Sequence, residues 1–477
     1  MALDPKDWTE QKREDLYRML PSVNEILLTP EILDAIERHG RERVVTALRE
    51  TLVTIRAEIA AGQLSGEDLQ VQIGSVARRL SSVLKLGPQY SLRPVINATG
   101  VILHTNLGRA PLGESALAHV TEVARGYCNL EFDLETGERS QRDVHVERLF
   151  LQVVGVPDED VNSWGVVLVN NCAAATFLTL NTFGERRDVV VSRGELVEIG
   201  GGFRVPEILE KSGATLREVG TTNRTRAADY EQAITGQTAL LLRVHQSNFS
   251  IEGFVERPRL RDLVELAKIV GVPLFEDQGT GLLSTLEGVG VASEPTLRDS
   301  ILAGVDLVAA SGDKLLGGPQ CGLLVGRADL IANIRKNPLL RAFRVDKLTY
   351  AALEATLFEY QAASEIDLPL MQALRKPADG IKDRCAAIVT AITSASITTT
   401  VVPVQSLVGG GAAPTASLES YALLVQHREF EANELLKRLR QSDPPVIGRI
   451  ANGAVVLDFR TVPVEMDETI ACTLERL

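Results

Sequence analysis

The stretch "SGDKLLGGPQCGLLVG", residues 311–326, sets one lysine, Lys314, between Ser-Gly-Asp and Leu-Leu-Gly-Gly-Pro. The residues before it, "GVDLVAA", read as a short buried strand, and "CGLLVG" after it reads as another. Lys314 is therefore expected on a turn between two apolar strands, with its ammonium partly desolvated. Desolvation disfavours the charged form, lowers the lysine pKa and makes the amine a nucleophile toward carbonyls. Three readings fit such a turn. It is a glycine-rich connection with an incidental lysine, the Ser-x-x-Lys of penicillin-recognising enzymes, or a lysine that forms a Schiff base with an aldehyde cofactor, with Ser311 on that cofactor's phosphate. The second reading requires Ser-Asp-Asn and Lys-Thr-Gly elsewhere, and the chain has neither.

Composition bounds the rest. A chain of 477 residues is too long for one compact core, so two or three domains are expected. Aromatic residues are only 4%, so aliphatic side chains must fill the cores. The net charge of −13 argues against a uniformly basic nucleic-acid binder and leaves room for a local basic patch. The opening "MALDPKDWTEQKRED" is charged throughout, unlike a signal peptide. No apolar run approaches the roughly 20 residues of a membrane span. Cys128, Cys172, Cys321, Cys385 and Cys472 are scattered without a Cys-x-x-Cys, and the histidines show no metal spacing. A reducing cytoplasm and no bound metal are expected.

Residues 1–88 are rich in Leu, Ile, Ala, Glu and Arg, with helical spacing in "PEILDAIERHGRERVVTALRETLVTIRAEIA". "LSGEDLQVQIGSVARRLSSVLK" predicts a further helix with Ser65 as N-cap and Asp68 in its first turn. The arginines of this all-helical unit (Arg41, Arg43, Arg49, Arg78, Arg79) are roughly matched by carboxylates, as on a solvated helix face. "GPQYSLRPVINATG" breaks the pattern and marks a domain boundary. From 165 to about 326, the runs "GVVLV", "DVVVS", "TLREV", "TALLLRV", "VPLFED", "VDLVAA" and "CGLLVG" alternate with helical stretches such as "RPRLRDLVELAKIVG". That alternation predicts an α/β core over 89–345, a mostly parallel sheet covered by helices. Beyond it, "SITTTVVPV" and "GAVVLDF" predict a smaller α+β domain over 346–477, with "GGGAAPTAS" as a loop.

Pyridoxal phosphate makes three demands on a protein: a lysine to hold its aldehyde, a carboxylate to keep its ring nitrogen protonated, and backbone donors for its phosphate. In α/β folds these gather at the carboxyl ends of the strands. Lys314 follows "VDLVAA". Asp277 ends "VPLFED". "VNNCAAATFLTL" joins a strand to a helix, so the amides of Cys172, Ala173 and Ala174 can bind an anion at the helix start. Each signal is weak alone, since a carboxylate after a strand is more often a cap. Their order, phosphate loop then Asp then Lys, is the order of fold-type I pyridoxal enzymes. His245, in "RVHQSNFSIEGF", ends another strand and either faces the ring or is a satisfied core histidine.

"INATGVILHTNLGRAPL", "SRGELVEIGGGFRVPEI", "HQSNFSIEGF", "SGDKLLGGPQCG" and "NPLLRAFRVDK" together resemble the signature segments of the bacterial selenocysteine synthases, the L-seryl-tRNA(Sec) selenium transferases. The likeness runs from the helical N-terminus nearly to the C-terminus. It implies a pyridoxal phosphate enzyme of fold type I that assembles as a homodecamer, a pentamer of dimers, with a helical N-terminal domain that grips tRNA(Sec). It also implies roles for residues. Lys314 is the aldimine lysine and Asp313 its acidic neighbour. Arg109, Arg341 and Arg344 are the anion-binding arginines, which the resemblance assigns to selenophosphate. The seryl group would displace Lys314, lose its Cα proton to the freed amine and its hydroxyl as water, and take selenium onto the aminoacrylyl group that remains. Asp313 would tune Lys314 or assist proton transfer.

A second enzyme class shares these features: a pyridoxal lyase acting on a small phosphorylated amino acid or amino sugar acid, whose phosphate would suit the same arginines. The helical arm discriminates, because a small-molecule lyase has no use for it. A catalytically dead tRNA-binding scaffold is disfavoured by the presence of both Lys314 and Asp277.

Overall fold

The computed structural model describes residues 10–62, 64–66, 68–74, 76, 90–199, 202–283, 285, 294–362, 367–413 and 416–477. The chain divides into two compact units, residues 1–94 and 95–477.

The first unit is helical, with α1 Glu10–Met19, α2 Pro30–His39 and α3 Arg41–Ala60. The periodic stretch 30–60 reads as continuous, but Gly40 at φ +83° splits it, a backbone angle that favours glycine. Along α3, Val44, Leu48, Leu52, Ile55 and Ile59 recur every three or four residues and are fully buried. The predicted cap is present: Ser65 N donates to Asp68 Oδ2 (3.0 Å) and Asp68 N to Ser65 Oγ (3.1 Å). Arg41 and Arg49 are exposed. Arg78 and Arg79 lie outside the described residues.

The second unit is built on a seven-stranded sheet: β1 Trp164–Val169, β2 Asp188–Ser192, β3 Thr215–Val219, β4 Thr238–Val244, β5 Leu274–Gly279, β6 Leu307–Ser311 and β7 Gly322–Arg327. Each of the seven apolar runs became a strand. The order across the sheet is β1-β7-β6-β5-β4-β2-β3. Only β7 opposes the rest, pairing antiparallel with both β6 and β1. Antiparallel neighbours need only a short link, and that link, residues 312–321, carries Lys314. Alternate side chains go to opposite faces: Val166 and Leu168 join one core, Val167 and Val169 the other. Burial on both faces explains why the inner strands read as continuous apolar runs, while the edge strand β3 ("TLREV") is mostly exposed.

Two helices show how the sequence dresses this sheet. Residues Cys172–Gly184 form α4, directly after β1. Residues Leu260–Val270 form α5, which buries Leu263, Val264, Leu266 and Ala267 on one face and ends at Gly271 in the left-handed region. The C-terminal part holds a four-stranded antiparallel sheet of β8 Ile397–Leu407, β9 Ser417–His427, β10 Arg449–Ala451 and β11 Ala454–Asp458, in the order β8-β9-β11-β10. Leu423, Val425, Leu457 and Phe459 form its core. Ile96–Asn97 pairs in parallel with Val446–Ile447, so the start of the second unit is stitched to its C-terminal part. Among the described residues no helix is long and apolar enough to cross a membrane.

Candidate active site

The carboxyl ends of β1, β4, β5 and β6 surround a cavity of about 250 Å³, lined among others by Arg109, Asn171, Cys172, Ala173, His245, Asp277, Ser311, Asp313 and Lys314. The topology explains this. The parallel strands deliver their last residues to one edge, and the β6–β7 link returns over it.

Lys314 lies in that link, 5% exposed, with Nζ donating to the Gly411 carbonyl at 3.1 Å. Burial pushes its amine below the usual lysine range, and Arg109 pushes the same way. Gly411, at φ +77°, belongs to the loop between β8 and β9; a Cβ there would lie 3.1 Å from Lys314 Nζ. Asp277 sits on β5, 6% exposed. Its Oδ2 accepts from Thr176 Oγ1 at 2.9 Å and its Oδ1 faces the Cys172 thiol at 3.5 Å. Burial raises the Asp277 carboxyl, opposed by these two donors and by the charge of Lys314. Burial likewise drives the Cys172 thiol well up, so it is a neutral donor.

Asp313 is also buried. Its carboxylate lies 3.7 Å from Arg109 Nε, and its carbonyl accepts from Ala110 N at 3.3 Å. Burial raises Asp313, with Arg109 the first opposing charge. Arg109 itself sits at φ +62°, a strained conformation for a non-glycine residue, held by the bond from its amide to His104 O. His245 lines the cavity, tied by Nε2 to Glu294 Oε2 at 2.9 Å and by its amide to Asp277 O at 2.9 Å.

The start of α4 differs from expectation in one respect. Asn171 caps the helix, accepting from Ala174 N at 2.9 Å, so the Ala174 amide is occupied. Cys172 and Ala173 are left to offer their amides to an anion, and both line the cavity. Gly322 packs beneath this turn: a Cβ there would stand 2.2 Å from Asn171 O, so only glycine lets β7 lie so close.

Arg341 and Arg344 are not brought to the cavity within one chain. Arg341 is exposed on the short helix Leu339–Phe343. Arg344 reaches Glu131 Oε1 at 3.2 Å, a carboxylate that also takes Arg142 and Arg139, both at 2.7 Å. For Arg344 the physical reason is that competition: Glu131 collects the guanidiniums nearby. The helix is nonetheless close, since Phe343 O accepts from Asn170 N at 2.9 Å, next to cavity-lining Asn171. Sequence reading missed Thr176, whose only signal is a hydroxyl one helical turn after Cys172. It also missed Glu195, buried after β2 with Oε2 accepting from Val244 N at 3.0 Å.

The residues present fit pyridoxal phosphate. A buried amine, a buried carboxylate and a helix N-terminus with amides facing inward line one cavity near the small end of the roughly 300–1,000 Å³ of ligand sites. Among the described residues no group of three or more His, Cys, Asp or Glu side chains is placed to hold a metal ion.

Comparison with known proteins places this geometry. The family described as L-seryl-tRNA selenium transferase matches residues 95–463, and the N-terminal segment of selenocysteine synthase matches residues 17–56. The chain belongs to the L-seryl-tRNA selenium transferase family. It is 41% identical over 466 residues to the L-seryl-tRNA(Sec) selenium transferase of Aquifex aeolicus, covering 97% of this chain and 99% of that one. With the enzyme of the same name from Hyphomonas neptunium it shares 42% over 451 residues, 94% and 96% of the two chains. A solved D-glucosaminate-6-phosphate ammonia-lyase is similar in fold, with a TM-score of 0.56 at 20% identity over 83% of this chain and 97% of that one. That likeness speaks for the fold-type I architecture alone. The match over residues 17–56 falls on the helical unit, the part that the lyase reading left without a use.

Proposed function

We propose that this chain converts L-seryl-tRNA(Sec) to L-selenocysteinyl-tRNA(Sec), with pyridoxal phosphate as cofactor and selenophosphate as selenium donor. The observation that carries the reading is the joint burial of Lys314 and Asp277 in one cavity at the start of α4, in a chain of this family. When bound, pyridoxal phosphate supplies an electron sink for the negative charge left at Cα when the serine is deprotonated, ahead of the loss of its hydroxyl.

The chain's own residues would do the rest. Cys172 and Ala173 would hold the phosphate through their amides. Asp277 would keep a proton at the ring nitrogen, and His245 would wall one side. Lys314 would anchor the aldehyde; once displaced, its amine, pushed below the usual lysine range by burial and held by the Gly411 carbonyl, would take the Cα proton. Asp313 would orient Arg109 across their 3.7 Å pair. Arg109 would bind selenophosphate inside the cavity. Arg341 and Arg344, on the helix bonded to Asn170, would collect it at the rim. Residues 1–88 would serve as the tRNA-binding domain, 89–345 as the cofactor domain and 346–477 as the small C-terminal domain. A cytoplasmic homodecamer is the proposed assembly.

The test is selenocysteinyl-tRNA formed by the cofactor-loaded protein from seryl-tRNA(Sec) and selenophosphate. Arg109→Ala should lower kcat/KM for selenophosphate about ten- to a hundredfold, the loss of one charge-assisted contact. Cofactor and tRNA binding should be untouched. A wild-type protein that ignores seryl-tRNA(Sec) yet eliminates ammonia or water from small phosphorylated amino acids would be a lyase.

A further inference from the structure

The two oxygens of Asp277 are not equivalent. Oδ2 receives the Thr176 hydroxyl at 2.9 Å, while Oδ1 has, among the described residues, only the thiol of Cys172 at 3.5 Å, a weak donor. Thr176 and Cys172 stand four residues apart on α4 and therefore share one face. Cys172 lines the cavity, whereas Thr176, 2% exposed, lies behind it. The other threonines of this helix behave differently. Thr179 donates to Ala175 O at 2.9 Å and Thr182 to Leu178 O at 2.6 Å, the usual return to the carbonyl four residues back. Thr176 turns its hydroxyl to Asp277 instead.

We propose that Thr176 is a positioning residue for Asp277: its hydroxyl fixes Oδ2 and leaves Oδ1, on the Cys172 side, to receive the protonated ring nitrogen of pyridoxal phosphate. The proposal rests on the cofactor reading above. A buried carboxylate is costly without donors, and Thr176 is the stronger of the two side-chain donors here. One helix then serves both ends of the cofactor, its N-terminus at the phosphate and its Thr176 at the ring. The other titratable groups around Asp277 are Lys314 from the β6–β7 link, His245 after β4 and Cys172 itself.

Thr176→Val keeps the side-chain shape and removes the donor. Apo-protein titrated with pyridoxal phosphate should bind it about tenfold more weakly in this variant. The pH midpoint of the bound cofactor's visible band should rise. With Asp277 less firmly ionised, the ring carries less positive charge, and the proton at the Lys314 linkage is held more tightly. Thr176→Ser should restore both values. Thr179→Val, which removes a hydroxyl of the same helix that returns to Ala175 O, should change affinity by no more than about twofold. Should valine disturb packing, Thr176→Ala gives the same readout. The proposal falls if Thr176→Val leaves affinity and midpoint at wild-type values, or only lowers thermal stability of apo- and holo-protein alike. It falls too if Thr179→Val weakens cofactor binding as much as Thr176→Val does. Wild-type protein that takes up no pyridoxal phosphate would instead overturn the cofactor reading, and this with it.

Discussion

The two compact units bury different things. In the helical unit, the buried side chains among the described residues are all apolar, from Leu16 through Leu48 and Ile59 to Val76. At the strand ends of the larger unit, Lys314, Asp277, Asp313 and Glu195 are all buried. An apolar core carries no desolvation penalty and serves to hold a shape. An ionisable group costs several kcal/mol to keep charged when buried, so four at these strand ends persist only where something compensates them or needs them. On the proposed function, the contrast separates recognition from chemistry. A change in one unit should leave the other's property intact.

The sharpest test of that separation is Lys314→Ala. Without the amine, no covalent attachment of the cofactor is possible, and turnover should fall at least about a thousandfold. Loss of the visible band should accompany it, while seryl-tRNA(Sec) binding stays at the wild-type level. Borohydride trapping and peptide mapping of wild-type protein checks the assignment; label on another lysine would remove Lys314 from its role.

Leu52→Ala is the converse. Leu52 is fully buried on α3, and truncating it should destabilise the helical unit by about 2–5 kcal/mol. Hydrogen exchange should show the loss in residues 30–60. Binding of seryl-tRNA(Sec) should weaken, and the binding that remains should decline with salt as phosphate contacts require. Pyridoxal phosphate uptake should not change. A parallel loss of cofactor would break the comparison.

The sequence was most legible where a residue's neighbours in the chain determine its surroundings. Lys314 and Asp277 end or follow apolar strands, so their burial follows from position, and the structure places both in one cavity. The capping of Ala174 was not foreseen, although Asn171 stood in the quoted turn, because a capping residue and an open helix start are written with the same residues. Arg344 was beyond reach for another reason: its partner Glu131 is far away in the chain, and only tertiary packing decides which carboxylate a guanidinium meets. Thr176 was hidden in an apolar helix, where threonine ordinarily bonds its own backbone.

Glu195 tests the comparison at its finest. It follows β2 in "SRGELVEI", is buried, and accepts from Val244 N at the end of β4. Burial raises its carboxyl to about 7, against the pull of the Val244 amide, Arg243 and Arg257. The folded state therefore holds this proton more tightly than the unfolded chain, whose carboxyl titrates at about 4.3. Its contribution to stability is full below that value and is lost as pH rises toward 7. Glu195→Gln retains an acceptor for Val244 N and cannot titrate. Wild-type protein should lose stability relative to Glu195→Gln across this window, by up to about 3 kcal/mol. Urea unfolding at the two ends of the window, followed by a probe in the larger unit, measures the difference. The transition of the helical unit should be the same in both proteins, since no ionisable group is buried there among the described residues. If the two proteins keep a constant difference across the window, Glu195 is already ionised in the folded state, and the strand ends hold one buried proton fewer than the contrast requires.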